Sequence, residues 1–188
     1  MSTPGVMIVS APSGAGKTSL TQALVSSRQD VGVTVSHTTR ALRQGEIDGV
    51  HYHFVPTVTF EQMIQDDQFV EYATVFGNYY GTSVKAINDQ LLQGRHAILE
   101  IDWQGARKVR EKFPESLSIF VMPPSLAVLE QRLRDRGQDS EQVIARRMRE
   151  AQNEISHKDE YDRIVVNIEF DHALAELDEA LSSLNKPN

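Results

Sequence analysis

The sequence predicts an α/β fold in which a parallel sheet is covered by helices on both faces, with a small mixed insertion and a helical lid joined to it. Three observations lead there. Apolar runs of strand length recur at Val6 to Val9, Ala97 to Asp102, Leu117 to Met122 and Asp162 to Asn167, alternating with stretches of helical periodicity. The first run passes directly into A-P-S-G-A-G-K-T, Ala11 to Thr18, and then into a helical pattern at Leu20, Ala23 and Leu24. Residues 36–95 leave this rhythm, which makes them an insertion beside the C-terminal strand ends, where open parallel sheets place their sites.

Strand, glycine-rich loop, Lys-Thr and helix form the phosphate-binding arrangement of a P-loop NTPase-type sheet. The loop Ala11, Pro12, Ser13, Gly14, Ala15 and Gly16 offers backbone N–H groups to a β-phosphate, and Lys17 reaches the β/γ oxygens. The Thr18 hydroxyl serves Mg²⁺, and the helix N-terminus adds the positive end of a dipole. The strict pattern G-x-x-x-x-G-K-[ST] has glycine where this chain has Ala11, so the backbone there must keep φ below zero. The helix is expected over 17–28 and a short strand over Val31 to Val35.

Ser36 to Gly49 sets Arg40 and Arg43 three apart among hydroxyl residues. Such a loop suits an anion such as a phosphate, and equally a solvated turn. His51 to Val55 alternates, with Tyr52 and Phe54 on one face and His51 and His53 on the other. With no third ligand nearby, the histidines read as a solvated strand face rather than a metal site. A short helix over 59–67 with Thr59 as N-cap precedes a strand over Phe69 to Phe76. Gly77-Asn78 turns that strand back through Tyr79 to Thr82 as a hairpin. A helix over 83–93 stops at Gly94. The next strand ends in Asp102, an acid placed to orient Mg²⁺-bound water or to meet substrate. A helix over 104–112 stops before Pro114, and the strand Leu117 to Met122 is closed by Pro123-Pro124.

Six arginines then fall between 132 and 149 in a chain whose net charge is −7. Leu126, Leu129 and Leu133 give one helix an apolar face, and Arg132 and Arg136 share another. Gly137 to Ser140 breaks that helix, and a second over 141–155 carries Arg146, Arg147 and Arg149. Two helices joined by a glycine turn, with arginines aimed at one point, read as a lid over phosphates. Arg134, Arg146 and Arg149 read as solvated partners of Glu130, Asp135 and Glu150. A final helix over 172–184 carries the core stripe Leu174, Leu177, Leu181 and Leu184.

Composition narrows the partners. A chain of 188 residues supports one core with small insertions. Its acidic balance disfavours broad contact with nucleic acid or an anionic membrane. The absence of cysteine excludes disulfides and thiolate chemistry and fits a reducing, cytoplasmic setting. The start M-S-T-P-G lacks the basic and apolar segments of a signal peptide, and no apolar run approaches the roughly 18 residues that span a bilayer.

In order, A-P-S-G-A-G-K-T, S-H-T-T-R-x-x-R-x-G-E-x-x-G-x-x-Y, F-x-E, G-N-Y-Y-G-T, E-I-D-x-Q-G and R-L-x-x-R-G resemble the motifs of guanylate kinases, over about residues 5–170. The middle motifs are far more specific than the phosphate loop. The resemblance implies transfer of the γ-phosphoryl group of ATP to GMP with Mg²⁺. It implies a core at about 5–35, 96–125 and 160–185, an NMP-binding insertion at about 36–95, and a lid at about 126–158. It further implies that Ser36 and Thr82 contact guanine and that Glu71 accepts from the guanine ring. Arg40, Arg43, Tyr52 and Tyr80 would hold the GMP phosphate, and Asp102 would lie near the base or the metal. Lys17 and the lid residues Arg132, Arg136 and Arg147 would act on the transferring group, and Asn167 would lie near adenine. Ile168-Glu169 departs from the acidic residues that often follow that asparagine. Two other readings share the scaffold: a kinase for another acceptor such as a ribose phosphate, and a non-catalytic binding module. The set Ser36, Glu71 and Thr82 argues against the first, and intact Lys17 and Thr18 against the second.

Overall fold

Strand β1 (Val6–Ser10) is buried along its whole length and lies at the centre of a five-stranded sheet. The coordinates are a computed structural model that describes residues 3–75, 77–135, 137 and 140–184. On one side of β1 lie β7 (His96–Glu100) and then β2 (Val31–Val33); on the other lie β8 (Leu117–Met122) and then β9 (Arg163–Val166). All four pairings are parallel. Strand periodicity sorts the side chains between two faces. Met7 and Val9 pack with Leu20, Leu24, Leu177 and Leu181, on the side of α1 (Lys17–Ser27) and α7 (Phe170–Ser183). Val6 and Ile8 pack with Ile87, Ala106 and Val109, on the side of α3 (Val84–Leu92) and α4 (Trp103–Lys112).

The excursion from the α/β rhythm builds a second, mixed sheet. Its order is β4 (His53–Phe54), β3 (His37–Thr38), β6 (Asn78–Ser83) and β5 (Phe69–Val75), with β5 and β6 forming the expected hairpin. Helix α2 (Thr57–Gln65) covers it through Phe60, which stacks on Phe69 at 4.4 Å and on Tyr79 at 5.1 Å between ring centroids. The two sheets meet at α4, where the Lys108 ammonium donates to the Tyr72 carbonyl at 3.0 Å and the Lys112 ammonium to the Phe69 carbonyl at 3.1 Å. Helix α3, within the span assigned to the insertion, seals the main sheet instead: its Ile87 is fully buried beside Leu99.

Helices α5 (Leu126–Asp135) and α6 (Glu141–Ser156) form the expected hairpin, the second capped by the Ser140 hydroxyl. Leu129 and Leu133 of α5 bear directly on the phosphate loop. A Cβ placed on Gly14 would meet Leu129 Cδ1 at 2.9 Å.

Several element ends differ from the sequence reading. Helix α2 starts at Thr57, immediately after Pro56 with φ −60°, so Thr59 is inside the helix rather than its cap. Strand β2 stops at Val33: the Thr34 N–H makes the last ladder bond, to the Ile98 carbonyl at 2.9 Å, and the Thr34 hydroxyl donates to the same oxygen at 3.1 Å. Strand β7 stops at Glu100, and Asp102 has become the N-cap of α4, accepting the Gly105 N–H at 2.8 Å. In α7 the fully buried positions are Ala173, Leu177, Ala180 and Leu181, with Leu174 and Leu184 packed at the margin.

Candidate active site

The phosphate loop is shaped by two glycines. Gly14 and Gly16 both have φ +98°, a conformation that costs other residues a Cβ clash, whereas Ala11 keeps an ordinary negative φ. Ala15 N–H donates to the Pro12 carbonyl at 3.0 Å and closes the turn. Gly16 begins α1 without any side-chain cap, so the first N–H groups of the helix face the mouth of the loop.

Asn167 and Arg132 brace this loop from below. The buried Asn167 amide donates to the Ala15 carbonyl at 2.8 Å, and a Cβ on Gly16 would meet that amide at 2.5 Å. The Arg132 guanidinium reaches the Ala15 carbonyl at 3.5 Å and the Asn167 carbonyl at 3.3 Å. Asn167→Ala is therefore expected to raise the KM for the nucleotide held at this loop severalfold, because the Ala15 carbonyl keeps only its long 3.5 Å contact with Arg132. The KM for the second substrate should not change. Steady-state kinetics with each nucleotide varied in turn checks this, and an equal rise in both constants would sink it.

Parallel pairing of Val9 with Glu100 sets the β7 terminus beside α1. There the Thr18 hydroxyl donates to Glu100 Oε2 at 2.8 Å, and Thr21 donates to the other carboxylate oxygen. The acid that meets the loop threonine is thus Glu100, which sequence reasoning passed over in favour of Asp102. Two residues along, the chain is already turning into α4, so the Asp102 carboxylate is spent partly on capping. One signal could have found Glu100: it is the only charged residue inside the otherwise apolar stretch Ala97 to Ile101.

The mixed sheet gathers the residues read as base contacts. Glu71 and Thr82 are cross-strand partners in the hairpin, and the Thr82 N–H donates to Glu71 Oε1 at 2.9 Å. The Ser36 and Thr82 hydroxyls lie 3.1 Å apart. Burial pushes the Glu71 carboxyl pKa up, while the Thr82 bonds pull it down and the Asp102 charge adds to the rise. Beside this cluster the Tyr52 ring meets those of Phe54 at 5.9 Å and Tyr80 at 5.8 Å, with the Arg40 guanidinium 5.6 Å over Tyr52. Arg40 is clamped by Glu46 through bonds of 2.6 and 3.0 Å. That guanidinium, together with the Arg43 N–H, pulls the Glu46 carboxyl down to about 2. Arg43 itself is exposed, and its N–H is the group that meets Glu46, at 2.8 Å. His53 is half-buried and packs on His37 at 4.7 Å rather than lying on a solvated face, and burial drops the His37 pKa to about 4.

Two cavities join these parts. A cleft of about 900 Å³ is bordered by the phosphate loop, Lys17, Trp103, Arg147, Arg149 and Glu154. A pocket of about 170 Å³ is bordered by Ser36, Glu71, Tyr80 and Glu100. Lys17, Tyr52, Val75 and Asp102 line both. Of the lid arginines, Arg147 borders the cleft and Arg136 lies outside the described residues. Arg134 pairs with Glu130 at 2.8 Å and with Glu141, and Arg146 with Glu150 at 3.8 Å, so both belong to the solvated faces. Arg149 is exposed, as that reading has it, and borders the cleft beside Glu150.

Glu154 of α6 carried no sequence signal. It lies beside the Trp103 N–H, with Lys17 and Asp102 close enough to act on its charge, and burial pushes its pKa up to about 7. Its Oε2 is buried with no hydrogen-bond partner among the described residues. One turn along, His157 stacks on Trp103 at 3.7 Å, tying α6 to the start of α4. Among the described residues no helix is long and apolar enough to cross a membrane.

Comparison with known proteins agrees with this geometry. The guanylate kinase family profile matches residues 3–184. A guanylate kinase of Chromohalobacter salexigens is 57% identical over 170 residues, covering 90% of this chain and 79% of that one. One of Haemophilus influenzae is 55% identical over 186 residues, covering 97% and 89%. The crystal structure of guanylate kinase from Anaplasma phagocytophilum superposes with a TM-score of 0.81 at 32% identity, covering all of this chain and 89% of that one. A gluconokinase from Sinorhizobium meliloti shares the fold alone, with a TM-score of 0.53 at 18% identity. This chain belongs to the guanylate kinase family.

Proposed function

We propose that this chain transfers the γ-phosphoryl group of ATP to GMP in the cytoplasm, giving ADP and GDP, with neither nucleic acid nor membrane as a partner. The observation that carries the proposal is the junction of two unlike cavities at Lys17. The phosphate-loop cleft suits the donor, and the smaller pocket, with its carboxylate and hydroxyls, suits a guanine monophosphate. In this reading the mixed sheet is the acceptor-binding insertion and the α5–α6 hairpin is the lid.

An oxygen of the GMP phosphate attacks the γ-phosphorus, and the bond to the bridging oxygen of ADP breaks. Little covalent work falls to the protein, so positioning and neutralisation of charge dominate. Arg40, Arg43, Tyr52 and Tyr80 hold the acceptor phosphate. Lys17, Arg136 and Arg147 offset charge on the transferring group, and Arg132 holds the loop that carries the donor phosphates. Ser36, Thr82 and Glu71 read the base, with Glu71 accepting from the N1–H and N2–H₂ groups of guanine. Adenine presents an acceptor at N1 and is rejected.

The donor set near the loop is all oxygen: the Thr18 hydroxyl and the Glu100 carboxylate, with Asp102 placed to act through water. That set fits Mg²⁺, which takes one or two carboxylates together with substrate phosphates. When bound, Mg²⁺ neutralises charge on the ATP phosphates.

A panel of acceptors offered with ATP, read by ADP release, tests the function. GMP should exceed AMP, CMP and ribose phosphates by about 10³-fold or more in kcat/KM. Preference for a ribose phosphate would favour a different kinase on this scaffold, and no calorimetric binding of ATP or GMP would favour a non-catalytic module.

A further inference from the structure

Helix α4 comes unusually close to the buried Glu71 carboxylate, and it does so at a glycine. Gly105 is buried near the start of α4; a Cβ there would lie 3.0 Å from Glu71 Oε2, 3.3 Å from Glu71 Cδ and 3.3 Å from Ile101 Cβ. Glu71 has little room to yield. Its Oε1 is held by the Thr82 N–H at 2.9 Å, and the residue is 6% exposed. Its strand is fastened to the same helix on both sides of it, by Lys108 on the Tyr72 carbonyl and Lys112 on the Phe69 carbonyl. Residues 105, 108 and 112 recur at helical spacing and share one face of α4. One helix face therefore grips β5 with two ammonium groups and leaves room for the carboxylate only because residue 105 has no side chain.

Given the reading of Glu71 as the guanine acceptor, we propose that Gly105 is a positioning residue for base specificity, setting through Glu71 the preference for GMP over inosine monophosphate. The two nucleotides share N1–H and O6 and differ by the 2-amino group. A carboxylate displaced by a few tenths of an ångström still meets N1–H but loses the second donor, so guanine is penalised more than hypoxanthine. A general loss of folding or of ATP binding would penalise both alike.

The test compares the parent, Gly105→Ala, Lys108→Met and Glu71→Gln with GMP and with IMP, alongside the KM for ATP and thermal melting. Alanine is a better helix former than glycine, which offsets the strain of the new contact, so Gly105→Ala should melt close to the parent. Its kcat/KM for GMP should fall about tenfold and its GMP-to-IMP ratio about fivefold, with the KM for ATP unchanged. Lys108→Met adds no atoms near the carboxylate; it removes the anchor of β5 on the Tyr72 carbonyl and a positive charge that favours the ionised Glu71, and since GMP and IMP both need that ionised form, the loosened anchor alone should lower their ratio, about threefold. A ratio that stays at the parent value in both variants, or equal losses on GMP and IMP, overturns the proposal. Glu71→Gln separates the two layers. If it collapses the ratio while the other variants do not, Gly105 has no such role. If it leaves the ratio intact, the reading of Glu71 itself fails and takes this inference with it.

Discussion

Lys17→Ala is expected to lower kcat by about 10³-fold while leaving the KM for GMP within about twofold and the melting temperature unchanged. Lys17 opens α1 directly after Gly16 and lines both cavities, so it stands where a donor γ-phosphate and an acceptor phosphate would meet. Two unit charges 4 Å apart interact by about 4 kcal/mol at an effective dielectric of about 20. Losing one such offset in the transition state corresponds to about 10³ in rate, since each 1.4 kcal/mol is about tenfold. Lys17→Arg should not restore the rate, because a planar guanidinium does not enter the space of a compact ammonium between loop and phosphates. Single-turnover rates with saturating ATP and GMP separate the chemical step from binding. Near-normal turnover by Lys17→Ala would remove Lys17 from the mechanism, and near-normal turnover by Lys17→Arg would show that its charge rather than its compact shape is what matters.

The fold was legible where burial on both faces leaves a continuous apolar run. β1 and β8 have no other way to bury Val6 to Val9 and Leu117 to Met122, and the alternation with helices forces parallel pairing. Element ends were less legible, because tertiary contacts decide them. The last pair of β2 joins Val33 to Ile98, and the Thr34 hydroxyl doubles the bond on that carbonyl from 64 residues away. The role of α3 was hidden for a similar reason: its sequence lies within the insertion, but Ile87 fits the main core.

The site shows the same division. The phosphate loop is contiguous in sequence, and its glycine spacing states its backbone shape. Glu71 and Thr82 were recognisable through short motifs, yet only the hairpin register makes them partners. Glu100 was missed because the acid two positions later seemed to end the strand, while the strand ended earlier and Asp102 went to cap a helix. Glu154 had no local signal at all, and Gly105 was visible only as the last letter of E-I-D-x-Q-G, with no role attached. One matters because burial raises its pKa, the other because another residue occupies the space its side chain would take.

Glu71→Gln is expected to lower kcat/KM for GMP by about 10³-fold, with the KM for ATP unchanged. The Thr82 N–H demands an acceptor at Oε1, so the glutamine amide nitrogen must take the Oε2 position. A donor then faces a donor of guanine where a carboxylate oxygen accepted before. The same residue fixes a pH dependence. Burial holds the folded pKa of Glu71 above its ordinary 4.5, so the folded protein binds this proton more tightly than the unfolded chain. The empty protein therefore gains stability from Glu71 at acid pH and loses it as pH rises from 4.5 through the raised folded value. GMP affinity runs the opposite way: it needs the ionised carboxylate and falls as pH drops through the raised value. The KM for GMP should thus climb as pH falls through that raised value, more steeply in the parent than in Glu71→Gln, whose amide does not titrate and which keeps only the titration of the substrate phosphate. A parallel climb in both proteins would assign the acid loss to another group and leave Glu71 without the ionised role that guanine recognition requires.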